Sequence, residues 1–288
     1  MKISADSSFS RRNLLRGGAA LAASSLLPNA ARAMAPAAAT ASPIKLGLAS
    51  YTFRKFDIPH MIEFAKELKI TNLNLKDMHL PMKPADGVAK QAADYRAAGF
   101  DLTAAGTISF PTYDEADARA KFEYLKSAGI KVMVCMPAKD VLPKLEKFVK
   151  EYDIRMAIHN HGPEDKNFPS PFDVLAAVKG LDPRVGLCID LGHTLRAGAD
   201  PIAAIKAAGP RLYDIHIKDL GQHDVKESQV AVGEGIMPVR EIFKTLIAMN
   251  YKGCVDLEYE IHETDPMPGV IESFAYMRGV LAGMGYKG

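Results

Sequence analysis

Five of the chain's eight histidines, His79, His159, His161, His193 and His216, fall at or just past the C-terminal end of a short apolar run. Charged and polar neighbours come with them: Lys76-Asp77 before His79, Asn160 between His159 and His161, and Asp190 three residues before His193. Lys218-Asp219 follow His216, and Glu258 and Glu260 close the last run. Histidines scattered over a surface would not gather this way. Imidazole plus carboxylate without thiolate is a borderline-to-hard ligand set, suited to Mn, Mg, Co or Zn. One strand-end His or Asp is more often a structural hydrogen-bonder. Asp190, His216 and Glu258 lie on three successive runs, and together they make a candidate metal site. Side chains alternate along a strand, so Glu258 and Glu260 share a face, as do His216 and Lys218.

The elements that must position these groups repeat one pattern: an amphipathic helix, a small-residue stop, then an apolar run. Arg96–Phe100, Lys126–Ile130, Lys206–Pro210 and Ala248–Tyr251 are four such stops, with Gly99, Gly129, Gly209 and Asn250 placed to end the helix in a left-handed conformation. Eight apolar runs follow: IKLGLASY, ITNLNLKD, DLTAAGTI, KVMVCMP, IRMAIHN, VGLCIDLGH, LYDIHIKD and GCVDLEYE. Helical spacing fills the gaps, clearest over Glu115–Ala128 and Leu142–Tyr152. Strict alternation implies parallel strands joined by crossovers, and eight units close a barrel. The fold class is therefore α/β, a single-domain (β/α)8 TIM barrel over residues 44–288. An open doubly wound sheet is the alternative, but its Gly-rich phosphate fingerprint is absent. In a barrel the active site lies at the C-terminal ends of the strands, where the histidines gather.

The first 33 residues stand apart. Ser10-Arg11-Arg12-Asn13-Leu14-Leu15-Arg16, the apolar run Gly17–Leu27 and Ala31-Arg32-Ala33 read as a twin-arginine signal peptide with its cleavage site. The expected destination is the periplasm or another exported compartment, without a membrane span in the mature form. Residues 34–43 read as a flexible tether. Removing the leader takes away Lys2, Arg11, Arg12, Arg16, Arg32 and Asp6, which moves the net charge from +2 to −2. A nucleic-acid partner needs a basic footprint that this balance lacks. The three cysteines, Cys135, Cys188 and Cys254, each lie in an apolar run and read as buried hydrophobes. No apolar stripe stands out to fix a homo-oligomer, although the outer helices of barrels often pair.

Asp190-Leu191-Gly192-His193, His216-Ile217-Lys218-Asp219 and Glu258, with Val232-Gly233-Glu234-Gly235 before a helix, resemble the xylose isomerase-like TIM-barrel superfamily across residues 44–286. That group includes sugar isomerases and epimerases, inositol-type dehydratases and an apurinic endonuclease branch. The resemblance implies that Asp190, His216 and Glu258 bind metal and that His193 faces the substrate or a second metal. One departure stands out: the epimerases usually place Glu before Asn at the end of strand five, and here His159 precedes Asn160 in IHNHGPED. Neutral imidazole binds the same metals, so His159 is the expected fourth ligand.

The chemistry implied is removal of a proton next to a sugar carbonyl through a metal-stabilised enediolate. Glu260, His161 and Lys218 are the candidate bases. Lys76, His79 and Asn160 are candidate substrate contacts. Returning the proton to a neighbouring carbon gives isomerisation or epimerisation; loss of a β-substituent gives the elimination of a 3-keto-glycoside lyase. A non-catalytic sugar-binding barrel is a third reading, against which the polar strand ends count. The negative mature charge and the leader disfavour the endonuclease branch.

Overall fold

The computed structural model describes residues 40–287. The twin-arginine leader and most of the tether therefore lie outside the described residues. Eight parallel strands close into a barrel in chain order. They are β1 (Lys45–Ala49), β2 (Asn72–Leu75), β3 (Asp101–Phe110), β4 (Val132–Pro137), β5 (Arg155–His159), β6 (Val185–Asp190), β7 (Leu212–Ile217) and β8 (Cys254–Leu257). Closure is by β8 on β1, from Cys254 opposite Lys45 to Leu257 opposite Leu48. An open sheet is thereby excluded.

The helices form the outer layer: α1 (Ile58–Glu67), α2 (Val88–Ala97), α3 (Glu115–Ala128), α4 (Leu142–Tyr152), α5 (Pro171–Val178), α6 (Leu191–Arg196), α7 (Pro201–Ala208), α8 (Val239–Ala248) and α9 (Met267–Gly283). Their ends follow capping chemistry. Asp114 accepts the Asp117 N–H to open α3, and Ser170 with Asp173 forms a capping box on α5. All four expected stops have positive φ: Gly99 at 97°, Gly129 at 65°, Gly209 at 52° and Asn250 at 55°.

Two backbone pairings lie outside the barrel. The end of the tether is ordered, with Thr40–Ala41 pairing in parallel with Tyr286–Lys287. The long polar loop after β7 folds on itself, because Asp219–Leu220 pairs antiparallel with Gln229–Val230. Each is a backbone pairing that composition does not announce.

Most of the core lies between strands and helices. Inside the barrel, Ala104, Val134, Ala157 and Cys188 form a small apolar cluster. Asn74, Asp214, Asp256 and His216 are also buried there, so the interior is polar beneath the candidate site. The three cysteines are buried and unpaired, as expected. Among the described residues no helix is long and apolar enough to cross a membrane.

Candidate metal centre and active site

Strands β5, β6 and β7 end in His159, Asp190 and His216–Ile217, while Glu258 follows β8 directly. Ligand atoms of His159, Asp190, His216 and Glu258 all lie within 4.8 Å of one another, and all four residues are buried. His159 Nε2 is 3.0 Å from His216 Nδ1, which is 3.2 Å from Glu258 Oε2. Beneath them Asn74 Nδ2 and Asp214 Oδ2 bracket His216 Nε2 at 3.0 and 3.7 Å. Nδ1 is the ring nitrogen of His216 that faces the cluster.

Lys218 ties the carboxylates together. Its Nζ lies 3.0 Å from both Asp190 Oδ2 and Glu258 Oε2, and it pairs with Glu260 as well. Burial opposes its charge, but these three carboxylates outweigh burial and hold the ammonium protonated. Lys218 is thus a cationic clamp between these carboxylates. Burial likewise pushes Glu258 up, yet Lys218, His216 and Lys76 hold it well below the usual carboxylate range. Such a carboxylate is a good ligand and a weak base. Asp190 is also held low against burial, by Lys218 and His193 first.

The donor set fits a divalent cation. Two imidazoles and two carboxylates converge, all buried, and such a donor set suits a borderline-to-hard divalent ion.

A cavity of about 270 Å3 opens over this cluster, lined by Tyr51, Lys76, Thr107, Met136, His159, His161, His193, Glu258 and Glu260. His161 turns Nδ1 toward His159 Nδ1 at 3.3 Å and Asp165 Oδ2 at 3.7 Å. Burial lowers its pKa, so the ring is neutral near pH 7. His193, on α6, is drawn down to about 4, again chiefly by burial. Lys76 donates to Thr107 Oγ1 and lies 3.6 Å from Glu258 Oε1.

Two predicted substrate contacts are displaced from this cavity. His79 is fully buried, and its Nε2 is 3.1 Å from the Phe56 carbonyl, so it braces the loop after β1. Asn160 accepts the Asp190 N–H at 3.0 Å and donates to the Asp190 carbonyl and Thr194 Oγ1. Alternation explains Asn160, because its neighbours His159 and His161 take the inward face. Tyr51 and Thr107 were not anticipated. Tyr51 lies in the 3-10 turn Ser50–Phe53 just past β1, where strand alternation no longer applies, and a register shift between Ala105 and Ile108 hides Thr107 from any alternation rule.

The fold and site define a (β/α)8 barrel with a metal-type ligand cluster at its C-terminal mouth. Residues 57–280 match the family model described as xylose isomerase-like TIM barrel, and the chain belongs to that family. An inosose dehydratase of Bacillus anthracis (strain CDC 684 / NRRL 3495) is 26% identical over 153 residues, covering 48% of this chain and 49% of that protein. The chain thus spans about half the length of the curated relatives it matches. Two solved structures share the fold at 18% identity. The IOLI protein with a bound zinc atom superposes with a TM-score of 0.71, over 84% of this chain and 99% of that one. The apo form of the 3-keto-D-glucoside 4-epimerase YcjR of E. coli gives 0.68, over 82% of this chain and 99% of that one. The inosose dehydratase and the 3-keto-D-glucoside 4-epimerase are both sugar-modifying enzymes.

Proposed function

We propose that this protein is a divalent-metal-dependent enzyme of the isomerase/epimerase type that removes a proton next to the carbonyl of a sugar or keto-sugar. The observation that carries the reading is the buried His159–Asp190–His216–Glu258 cluster beneath a small polar cavity. A divalent ion held by His159, Asp190, His216 and Glu258 would supply Lewis-acid polarisation of a sugar carbonyl. His161 is the base: it is neutral, it lines the cavity, and Asp165 orients it. Lys76 and Thr107 bind hydroxyls on the β2–β3 side. Glu260, on the β8 side and paired with Lys218, lines the same cavity and is the second candidate base. The polar mouth argues against a sugar-binding barrel without catalysis. Export through the leader at residues 1–33 belongs to the same proposal, and cell fractionation with and without Arg11→Lys/Arg12→Lys tests it.

A second reading, β-elimination from a keto-glycoside, draws on a neighbouring cleft. This cleft of about 480 Å3 shares Met136, His161 and His193 with the metal cavity and is walled by Pro111, Pro137, Ala138 and Phe168. It offers a leaving group a place beside His161. A proton NMR time course in D2O separates the two readings, using metal-loaded protein with a 3-keto-glucoside and, separately, a simple ketose. Exchange of the α-proton with the glycosidic bond intact is the expected result. Aglycone release establishes elimination instead, and no exchange with either compound sinks both.

A further inference from the structure

The short helix α6 carries Asp190, His193 and Arg196 at three-residue intervals, with Asp190 as its N-cap. Asp190 Oδ1 accepts the His193 N–H at 2.7 Å, so the helix start is tied to the ligand cluster. One turn on, Arg196 folds back and places a terminal guanidinium nitrogen 3.1 Å from His193 Nδ1. Arg196 is a buried cation: its side chain is 5% exposed, its Nε has no partner, and its other terminal nitrogen pairs with Glu164.

Guanidinium has only donors and does not lose its proton in a protein. The nitrogen it faces must therefore accept. A proton on Nδ1 would set two N–H groups against each other in a buried contact, and an imidazolium would add charge repulsion. Neutral His193 must then carry its proton on Nε2, at the opposite edge of the ring. The loop after β5 holds this arrangement in place. Gly162 has φ of 83°, and a Cβ there would lie 3.2 Å from the Arg196 guanidinium and 3.3 Å from His193 Nδ1. The backbone thus packs directly over the contact, and glycine is what permits it.

We propose that Arg196, held by Glu164, is a positioning residue that fixes His193 as the neutral Nε2–H tautomer, making His193 a hydrogen-bond donor to a substrate oxygen in the metal cavity. The proposal rests on the proton-removal reading for its catalytic meaning, but the tautomer itself does not depend on that reading. It assigns different duties to two imidazoles that line the same cavity, since His161 accepts a proton and His193 donates a hydrogen bond. It also removes His193 from the role of second-metal ligand, because Nδ1 is turned to a cation and Nε2 is protonated. A donor aimed at an oxygen that gains charge stabilises the transition state more than the bound substrate.

The test is a two-bond proton–nitrogen correlation spectrum of the zinc-loaded protein labelled with 15N-histidine, with His193 assigned by its loss in His193→Gln. Wild-type protein should show an unprotonated Nδ1 and a protonated Nε2 at pH 7. Arg196→Met, of similar length but without donors, should lose the pure Nε2–H pattern, and Arg196→Lys should restore it. Glu164→Gln, at a half-exposed position, serves should Arg196→Met fail to fold, and it should broaden or mix the pattern. A wild-type Nδ1–H signal, or a pattern unchanged in Arg196→Met, overturns the proposal. In the exchange assay His193→Gln should lower kcat by about 10²–10³-fold. Arg196→Met should lower kcat more than it changes KM, and Arg196→Lys should recover part of the loss. If wild-type protein exchanges no α-proton, the functional reading falls while the spectrum still decides the tautomer.

Discussion

The barrel has two mouths, and they differ in a way that size alone would misread. The N-terminal mouth holds the larger cavity, about 840 Å3, with Lys45, Lys131, Arg155, Lys206 and Lys252 among its lining residues. The cavity over the candidate metal centre measures only about 270 Å3. Yet the cations of the larger cavity are spread around strand starts with their heads largely in solvent, where each keeps its hydration. At the C-terminal mouth the charged groups are buried and must be satisfied by one another or by a metal. Desolvation makes chemistry there, because charge taken out of water interacts strongly and shifts proton affinities. Convergence of buried titratable groups, rather than volume, marks the site.

That contrast can be broken or sharpened by substitution. The largest effects belong to the ligand cluster: Asp190→Ala and His216→Ala should abolish bound metal by elemental analysis while circular dichroism stays native. Metal content equal to wild type in both removes the assigned site. His161→Ala should keep its metal and lose about 10²–10⁴-fold in α-proton exchange, the usual size of a general-base contribution. Below the cluster, Asp214→Asn should weaken metal affinity by about 10- to 100-fold in a competitive chelator titration, since Asp214 backs His216 Nε2. At the opposite mouth, Lys131→Ala should change exchange by less than about twofold and stability by no more than about 0.5 kcal/mol. A large loss of exchange there would mean that the two mouths are coupled.

A pH experiment probes the polar interior between them. Burial raises the Asp256 carboxyl to about 6, and burial with Asp256 beside it raises Asp214 further. A carboxyl raised on folding favours the folded state fully below its unfolded pKa of about 4, and that advantage is lost as pH rises through the folded value. Apo-protein stability from this pair should therefore decline from about pH 4 upward through pH 6. Asp256→Asn should flatten the decline and add about 2–3 kcal/mol at pH 8 in urea melts. An unchanged slope would show that Asp256 is not held above the ordinary carboxylate range.

Much of this was legible in the chain. Local chemistry ends a helix at Gly129 or Asn250 whatever surrounds it, so the stops and the eight runs between them could be counted without coordinates. The bounds of α3 and α4 agree residue for residue with the 3.6-residue spacing. The metal candidates could also be found, because strand alternation and chain order alone bring the ends of β5 to β8 to one mouth. His79 and Asn160 show the limit. Both are polar groups at strand ends like the ligands, but one turns back to the Phe56 carbonyl and the other braces the backbone of Asp190.

The sequence by itself determined the barrel, its closure number and the residue types at its catalytic end, since these rest on periodicity, capping and order. Only the tertiary structure decided which polar groups face one another, because proton affinity and tautomer depend on burial and on partners far away in the chain. Lys218 became a clamp because Asp190, Glu258 and Glu260 close around it, and His193 became a donor because Arg196 lies against its other nitrogen.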